Sequence, residues 1–361
     1  MIDFPEDKRF VLEQAFERGR LTLYLGAGVS VPSGLPTWQR LVLAMYFDML
    51  NRSDNRAYAN YVHAVAEWML QKSPDPLEIT AQKIRLHFGE KDRDFLDSIK
   101  RQLYAGFYER GNYHIPERNK LRRGNPTLRA VAQLVERGSL RSGRGVEAVI
   151  TYNYDDLLEI ALGKRTRHQV IYDTDSKSNG SLPIYHVHGY VPIAGVETSP
   201  ADGIIFTEEQ YHEATNAVYS WSNLVQIRGL SSSTGLMIGL SLSDRNIRRL
   251  LHALSRSPVS ANCYAVLKRP TWRQPHDHEV IEVDQMAKEL YDRAKASGSP
   301  VPPDYGIKGP NWQSQVQQIL NLAQDVATTQ QERVLLHLGV TPIWYDDHEE
   351  ISGILKAIWP R

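Results

Sequence analysis

The chain has 361 residues, 42% of them hydrophobic, enough for one large domain with an insertion or two ordinary ones around a sizeable core. Lys+Arg number 42 and Asp+Glu 42, so the formal net charge is zero and no whole-chain basic footprint for nucleic acid exists. The single cysteine, Cys263, excludes a disulfide within the chain and any Cys-x-x-Cys zinc site.

The N-terminal MIDFPEDKRF has no signal-peptide core. No apolar run approaches the roughly 20 residues that span a bilayer. With the lone cysteine fitting a reducing compartment, a cytoplasmic protein with no membrane contact is expected. Residues 21–25 form the first apolar run and read as a buried strand. They break into GAGVSVPSGLPTW, which contains Gly26, Ala27, Gly28, Ser30, Gly34, Leu35, Pro36 and Trp38. A strand that opens through glycines into a helix is a common way to present backbone N–H groups to a phosphate. Ser30 adds a hydroxyl at the expected helix start. The loop is neither G-x-G-x-x-G nor a Walker loop, so alone it fits an ordinary tight turn equally well.

Residues 39–135 show amphipathic patterns at 41–50, 58–70 and 95–107 and no convincing strand, and read as an inserted helical module. Residues 127–135 return the chain to the sheet. Eight arginines and lysines against two glutamates mark residues 117–144; a solvated helix face is the plainer reading, a surface for an acidic partner the alternative. Further apolar runs at 147–151, 184–187, 203–206, 236–239, 264–267 and 340–345 read as strands. Helical patterns at 155–162, 208–218, 244–254, 280–296, 313–324 and 349–358 lie between them. Continuous rather than alternating runs suit strands covered on both faces. Residues 297–310 read as a Pro/Gly loop. The fold class predicted is α/β, a Rossmann-like parallel sheet flanked by helices, with residues 1–38 and 136–361 forming the Rossmann-like domain and 39–135 the insertion.

Three more strand ends carry candidate chemistry. In VITYNYDDLL, Asn153 offers a donor and an acceptor suited to a ribose hydroxyl or a water; alternatively Asn153 or Asp155 caps the following helix. In YHVHGYVP, His188 precedes Gly189 and is placed to act as a general base, or is a hydrogen-bonded turn residue. His186, two residues earlier, lies on the same side of a strand, but no third ligand makes a metal site. In GLMIGLSLSDRNIRRLL, Gly239 and Ser241 would form a second wall against a dinucleotide, and Asp244 a helix cap.

Together these residues resemble the sirtuin-like family. GAGVS and SGLPTW look like its phosphate and ribose loop, and YNYD like the Thr-Asn-Tyr-Asp form of its bacterial defence branch. The HG pair looks like the catalytic histidine motif, and GLSLSDRNI like that branch's Gly-x-Ser-x-x-Asp turn. LGVTPIWYDDHEEISGILKAI resembles its closing strand and helix; the insertion carries no matching motif. The resemblance implies a domain that binds NAD through Gly26, Ala27, Gly28, Ser30, Gly34, Leu35, Pro36, Trp38, Asp155, Gly239 and Ser241. It implies that Asn153 and His188 cut the bond between nicotinamide and ribose.

Such cleavage has an oxocarbenium-like transition state and needs a fixed ribose more than a strong nucleophile. The deacetylase branch has a four-cysteine zinc module, which one cysteine cannot build, so water is the expected acceptor and zinc is not expected. The resemblance thus implies an NAD glycohydrolase of anti-phage defence, restrained by homo-oligomerisation or by a HerA-type hexameric ATPase. Direct nucleic-acid contact is not expected. The alternatives are a sensor that binds NAD or ADP-ribose without turnover and a sirtuin-type ADP-ribosyltransferase or deacylase.

Overall fold

A computed structural model describes residues 4–50, 75–89, 91–139, 143–174, 180–195, 198–217, 219–242, 244–257, 262–270, 277–298 and 312–359, with residues 65, 68, 72 and 300. The helix expected over 58–70 and most of the loop at 297–310 lie outside the described residues.

The strands are β1 (Leu21–Leu25), β2 (Tyr108–Glu109), β3 (Asn112–Tyr113), β4 (Val146–Thr151), β5 (His168–Ile171), β6 (Leu182–His186), β7 (Thr234–Ile238), β8 (Asn262–Lys268) and β9 (Val340–Tyr345). Seven of them form one sheet in the order β5-β6-β4-β1-β7-β8-β9. The pairings from β5 across to β8 are all parallel. Helices flank this sheet, so the fold is Rossmann-like α/β, as the continuous apolar runs predict. All five residues of β1 are buried, as a central parallel strand requires.

Connectivity decides where a ligand goes. From β1 the chain moves to β4, β5 and β6 on one side, then returns to β7 on the other side of β1. That reversal is a topological switch point, and the crevice beyond the strand ends there is where open α/β sheets bind ligands. The loops after β6, β4, β1 and β7 leave four neighbouring strands at this place.

The sheet departs from the sequence expectation at 203–206 and at β5. Residues 203–206 are not a strand: Gly203 ends a 3-10 turn at Ala201–Gly203 and 204–206 run as buried chain, with Phe206 edge-on to Phe95 at 5.7 Å and to Trp38 at 6.3 Å. Their apolar character comes from covering aromatic side chains of the inserted region rather than from a place in the sheet. The sheet instead takes β5, whose HQVI is half-buried at an edge and too short and polar to stand out.

Helix α1 (Glu6–Glu17) precedes β1, and the described helices in and bordering the inserted region are α2 (Trp38–Leu50), α3 (Leu77–Phe88), α4 (Asp92–Leu103), α5 (Arg118–Gly124) and α6 (Pro126–Ser139). Leu41 and Met45 of α2, Ile84 of α3 and Ile99 of α4 are buried in the same cluster as Leu23 and Leu25 of β1. A fully buried Leu or Met contributes about 1.5–3 kcal/mol, so these helices are held to the sheet by packing. Between α4 and α5, β2 and β3 pair as a short antiparallel hairpin in a region where no strand is expected. Its central residues, Arg110 and Gly111, both have positive φ, as a type I′ turn requires, but Arg is not the Asn or Asp that signals one.

Half of the eight basic residues at 117–144 are engaged within the chain. Arg118 and Arg122 both meet Glu136, Arg144 pairs with Glu17 at 2.9 Å, and Arg137 lies over the Trp359 ring at 5.0 Å.

Helix α7 (Leu157–Leu162) lies between β4 and β5, and beyond β6 come α8 (Glu208–Asn216), α9 (Trp221–Ser232), α10 (Arg245–Ser255), α11 (Asp277–Ala296), α12 (Trp312–His337) and α13 (His348–Ala357). The chain divides into two compact units. One comprises 1–267 and 336–361 and holds the sheet together with the described helices of 39–135; the other comprises 268–335 and is helical.

Candidate functional site

The hydrogen-bond ladder of the sheet continues past the strand ends. Val187 N donates to Thr151 O at 3.1 Å, Tyr152 N to Leu25 O at 2.9 Å and Gly26 N to Ile238 O at 3.0 Å. Gly28 N then reaches Gly239 O at 3.0 Å. This locks the loop after β1 to the loop after β7, backbone against backbone. A Cβ on Gly28 would stand 2.7 Å from Gly239 Cα, and one on Gly239 would stand 2.6 Å from Val29 N. The glycines are therefore needed for loop-to-loop approach. The amides of Gly26 and Gly28 are already donated, so they are not free to cradle a phosphate as the sequence suggests.

Ser30 also differs from expectation. It makes no helix-cap hydrogen bond; its hydroxyl donates to Asp155 Oδ1 at 3.0 Å. The loop is braced from behind by Asn125, whose buried side chain donates to Val29 O at 2.7 Å and to Ser33 Oγ at 2.8 Å. The same Asn125 accepts from Leu128 N at the start of α6, a capping role that the Asn-Pro pair before a helix signals. Leu35 is buried, Gly34 is exposed with φ 93°, and Trp38 begins α2 half-buried.

Asn153 points its amide back toward β1. Nδ2 donates to Gly26 O at 3.1 Å and to Ser30 Oγ at 3.2 Å. Asp155, not Asn153, serves the next helix: its Oδ1 accepts from Leu157 N at 3.1 Å as well as from Ser30. Burial pushes the Asp155 carboxyl up to about 7, against those two hydrogen bonds, which favour the ionised form. A recess lies here, lined by Ser30, Thr151, Asn153, Asp155, Glu159 and His186 together with apolar groups of β1, α6 and α7.

His186 and His188 part company. β6 ends at His186 and the chain turns, with Gly189 N donating to His186 O at 3.2 Å, so strand alternation no longer holds at His188. His186 faces Asn153 and Glu159. His188 instead meets the ring of Tyr152 at 4.8 Å and that of Tyr211, from α8, at 5.9 Å. Its Nε2 is buried without a hydrogen-bond partner, 3.8 Å from Asp244 Oδ2. Burial lowers its basicity and the Asp244 charge only partly opposes this, which keeps the ring neutral and able to accept a proton. Asp244 is the expected cap, accepting from Asn246 N at 2.9 Å and Ile247 N at 3.0 Å, and it also accepts from Tyr211 at 3.2 Å. Tyr152 donates to the buried Gln226 at 2.7 Å.

The structure thus brings Gly26, Gly28, Gly239, Ser30, Asn153 and Asp155 into direct contact with one another or through a single neighbour. It gathers His188 with Tyr152, Tyr211 and Asp244 in a separate cluster, and Ser241 is exposed on the loop after β7.

Residues 147–289 match the family model of the SIR2-like domain. This part of the chain is similar to SIR2-like domains. No curated protein matches the chain. The match begins in β4, ends in α11, and contains Asn153, Asp155, His188, Gly239 and Ser241. It supports a sirtuin-like, NAD-related function, since SIR2-like domains bind NAD. The glycine loop at 26–38 lies outside the matched residues, and it is the pairing of β1 with β4 and β7 that joins it to the SIR2-like domain. Among the described residues no helix is long and apolar enough to cross a membrane, and no group of three His, Cys, Asp or Glu side chains could hold a metal ion. Cys263 is buried in β8, its thiol pushed up to about 12 by burial.

Asn125, Glu159, Tyr211 and Gln226 escape sequence reading of the SIR2-like domain's surroundings, because each acts through a long-range contact. Only Asn125 carries a local signal.

Asp155 gives a pH test. A carboxyl raised in the folded state binds its proton more tightly there than in the unfolded chain. Its contribution to stability is complete below the unfolded value near 4 and is lost as pH rises through about 7. Asp155→Asn keeps the acceptor for Ser30 and Leu157 without the charge. In urea unfolding, the variant's stability relative to wild type is expected to rise by roughly 2–3 kcal/mol between pH 5 and pH 8. A difference that does not change with pH would show that Asp155 is ionised at no cost.

Proposed function

We propose that the chain is an NAD glycohydrolase, releasing nicotinamide and ADP-ribose, and that it acts in anti-phage defence by depleting NAD. The observation that supports this most is the placement of Asn153: its side-chain amide is pinned at the junction of β1 and β4, at the switch point of a SIR2-like domain. Asn153 holds the ribose and positions water. His188, neutral and with its Nε2 unpartnered, takes the proton from a ribose hydroxyl or from that water. The loop carrying Ala27, Ser30 and Gly34 through Trp38 and the loop carrying Gly239 and Ser241 bracket the pyrophosphate and ribose. Nicotinamide leaves uncharged, so no strong nucleophile is needed.

His188 is only 5% exposed and lies beneath Tyr211, and it does not share contacts with Asn153. This supports a controlled enzyme, in which assembly into a homo-oligomer or docking of a HerA-type hexameric ATPase brings His188 to the substrate. The same observation favours the second reading, a sensor that binds NAD or ADP-ribose without turnover.

Purified chain is incubated with NAD alone and with a HerA-type hexameric ATPase, and the products are separated by chromatography. Nicotinamide and ADP-ribose in equal amounts are expected. Binding by calorimetry with NAD intact after long incubation in both arms would establish the sensor. Transfer of label from NAD to protein would establish a transferase.

A further inference from the structure

We propose that Glu159 and His186 are positioning residues for Asn153, a two-proton clamp that fixes the end of β4 for the cleavage reaction. The proposal rests on the glycohydrolase reading for its kinetic consequence, but its geometry stands apart from it. His186 is buried, and each ring nitrogen faces an acceptor: Nδ1 lies 3.0 Å from the backbone carbonyl of Asn153, and Nε2 lies 2.9 Å from Glu159 Oε1.

A carbonyl oxygen can only accept, so Nδ1 carries a proton and donates it there. A ring with that single proton would turn the lone pair of Nε2 toward the carboxylate oxygen. Closing both contacts takes a second proton, and the pair is an imidazolium against a carboxylate. Burial alone would lower the basicity of His186, but the charge and hydrogen bond of Glu159, together with the Asn153 carbonyl and the Asp155 charge, outweigh it and raise it. The groups facing the ring are Glu159 from α7, Asp155 from the segment before α7, and the Tyr190 ring at 4.6 Å from the turn after β6. Tyr172, following β5, stacks on Tyr190 at 5.3 Å.

The clamp acts on the backbone of the residue whose side chain contacts Gly26 and Ser30, so it sets where that amide points. A displacement of about 1 Å at such a group can lower a rate about 100-fold. When the second proton leaves at alkaline pH, the Glu159 contact becomes repulsive and the ring no longer holds Asn153 O. Glu159→Gln separates position from charge. Its amide N–H can donate to a neutral Nε2 while Nδ1 still donates to Asn153 O, so that variant keeps the clamp with one proton fewer.

The test uses the full chain with a HerA-type hexameric ATPase. In wild type kcat is expected to fall at alkaline pH; in Glu159→Gln it stays within about 3-fold of wild type at neutral pH and loses that alkaline limb. His186→Ala lowers kcat at least 10-fold at every pH with KM within about 2-fold. Asp155 is present in wild type and in Glu159→Gln, so the difference between their profiles isolates the pair. A Glu159→Gln profile with the wild-type alkaline limb would overturn the proposal.

A second measurement needs no turnover. In 15N-labelled chain at pH 7, both nitrogens of His186 are expected to be protonated in wild type and only Nδ1 in Glu159→Gln. An unprotonated Nε2 in wild type would overturn the clamp, whereas absence of nicotinamide release with both nitrogens protonated would overturn the glycohydrolase reading alone.

Discussion

Asn153→Ala is expected to lower nicotinamide release at least about 100-fold while leaving the fold intact. The fold loses two hydrogen bonds, at 3.1 and 3.2 Å, from Nδ2 to Gly26 O and to Ser30 Oγ. Neither partner is orphaned. Gly26 O still accepts from Val29 N at 3.0 Å, and the Ser30 hydroxyl still donates to Asp155. The cost in stability is then about 1–2 kcal/mol. The cost in rate is larger, because a group that fixes the ribose and the attacking water contributes through orientation, where small misplacements are worth about 100-fold. His188→Ala removes a proton acceptor, with an expected loss of about 100- to 10,000-fold. Its burial between Tyr152 and Tyr211 makes a melting curve the necessary companion to the rate. Product release measured by chromatography on variants that melt within a few degrees of wild type decides the matter. Either variant retaining the wild-type rate would remove its residue from the mechanism.

Why these two residues can be read from sequence at all is a matter of where they sit. Asn153 and His188 follow directly on apolar runs that become β4 and β6, and strand ends of a parallel sheet point at its ligand crevice. The period of burial and the turn to polar residues are local signals, so β1, β4, β6, β7, β8 and β9 are each legible within one or two residues of where they lie. What surrounds the site is less legible, because it depends on pairs distant in the chain. Asn125 braces the glycine loop across 96 residues, and the Glu159–His186 pair closes across 27. His186 looks like the partner of His188 when alternation is carried past the strand end; the turn at Gly189 is what separates them.

The edges of the fold fail for related reasons. The apolar run at 203–206 and the short strand β5 exchange roles because burial beneath aromatic side chains and burial in a sheet leave the same mark on composition. Helices α1 and α9 pass unpredicted, the first in a strongly charged segment with only Leu12, Ala15 and Phe16 buried, the second with almost no one-sided pattern. The reading of the glycine loop illustrates a subtler limit. A Gly-x-Gly after a strand is consistent with a phosphate cradle and with a backbone contact, and residue types alone do not distinguish them. Here the partner of the contact, Gly239, is 211 positions further along the chain.

That contact sets the second large effect. Gly239→Ala is expected to destabilise the chain by about 3 kcal/mol or more, from two sources. Gly239 has φ 69°, a left-handed conformation that costs an alanine roughly 1–2 kcal/mol. The added Cβ would also stand 2.6 Å from Val29 N and 2.9 Å from Gly28 C, which are backbone atoms that no side-chain rotation can move aside. Relief would require the two loops to part, straining the hydrogen bond of Gly28 N to Gly239 O at 3.0 Å, and overpacking of this kind typically costs about 1–3 kcal/mol more. Gly34→Ala is the matched comparison. Gly34 also has a left-handed φ, 93°, but nothing lies within 4 Å of its Cβ position, so only the conformational cost of about 1–2 kcal/mol applies. Urea unfolding of the two variants separates strain from collision. Because Ser30 reaches Asp155 and Asn153 from this same loop, Gly239→Ala is also expected to loosen the hydroxyl that both of them contact. Equal destabilisation of the two variants would mean that the loops yield freely, and then the glycines at Gly28 and Gly239 would need a ligand, rather than each other, to account for them.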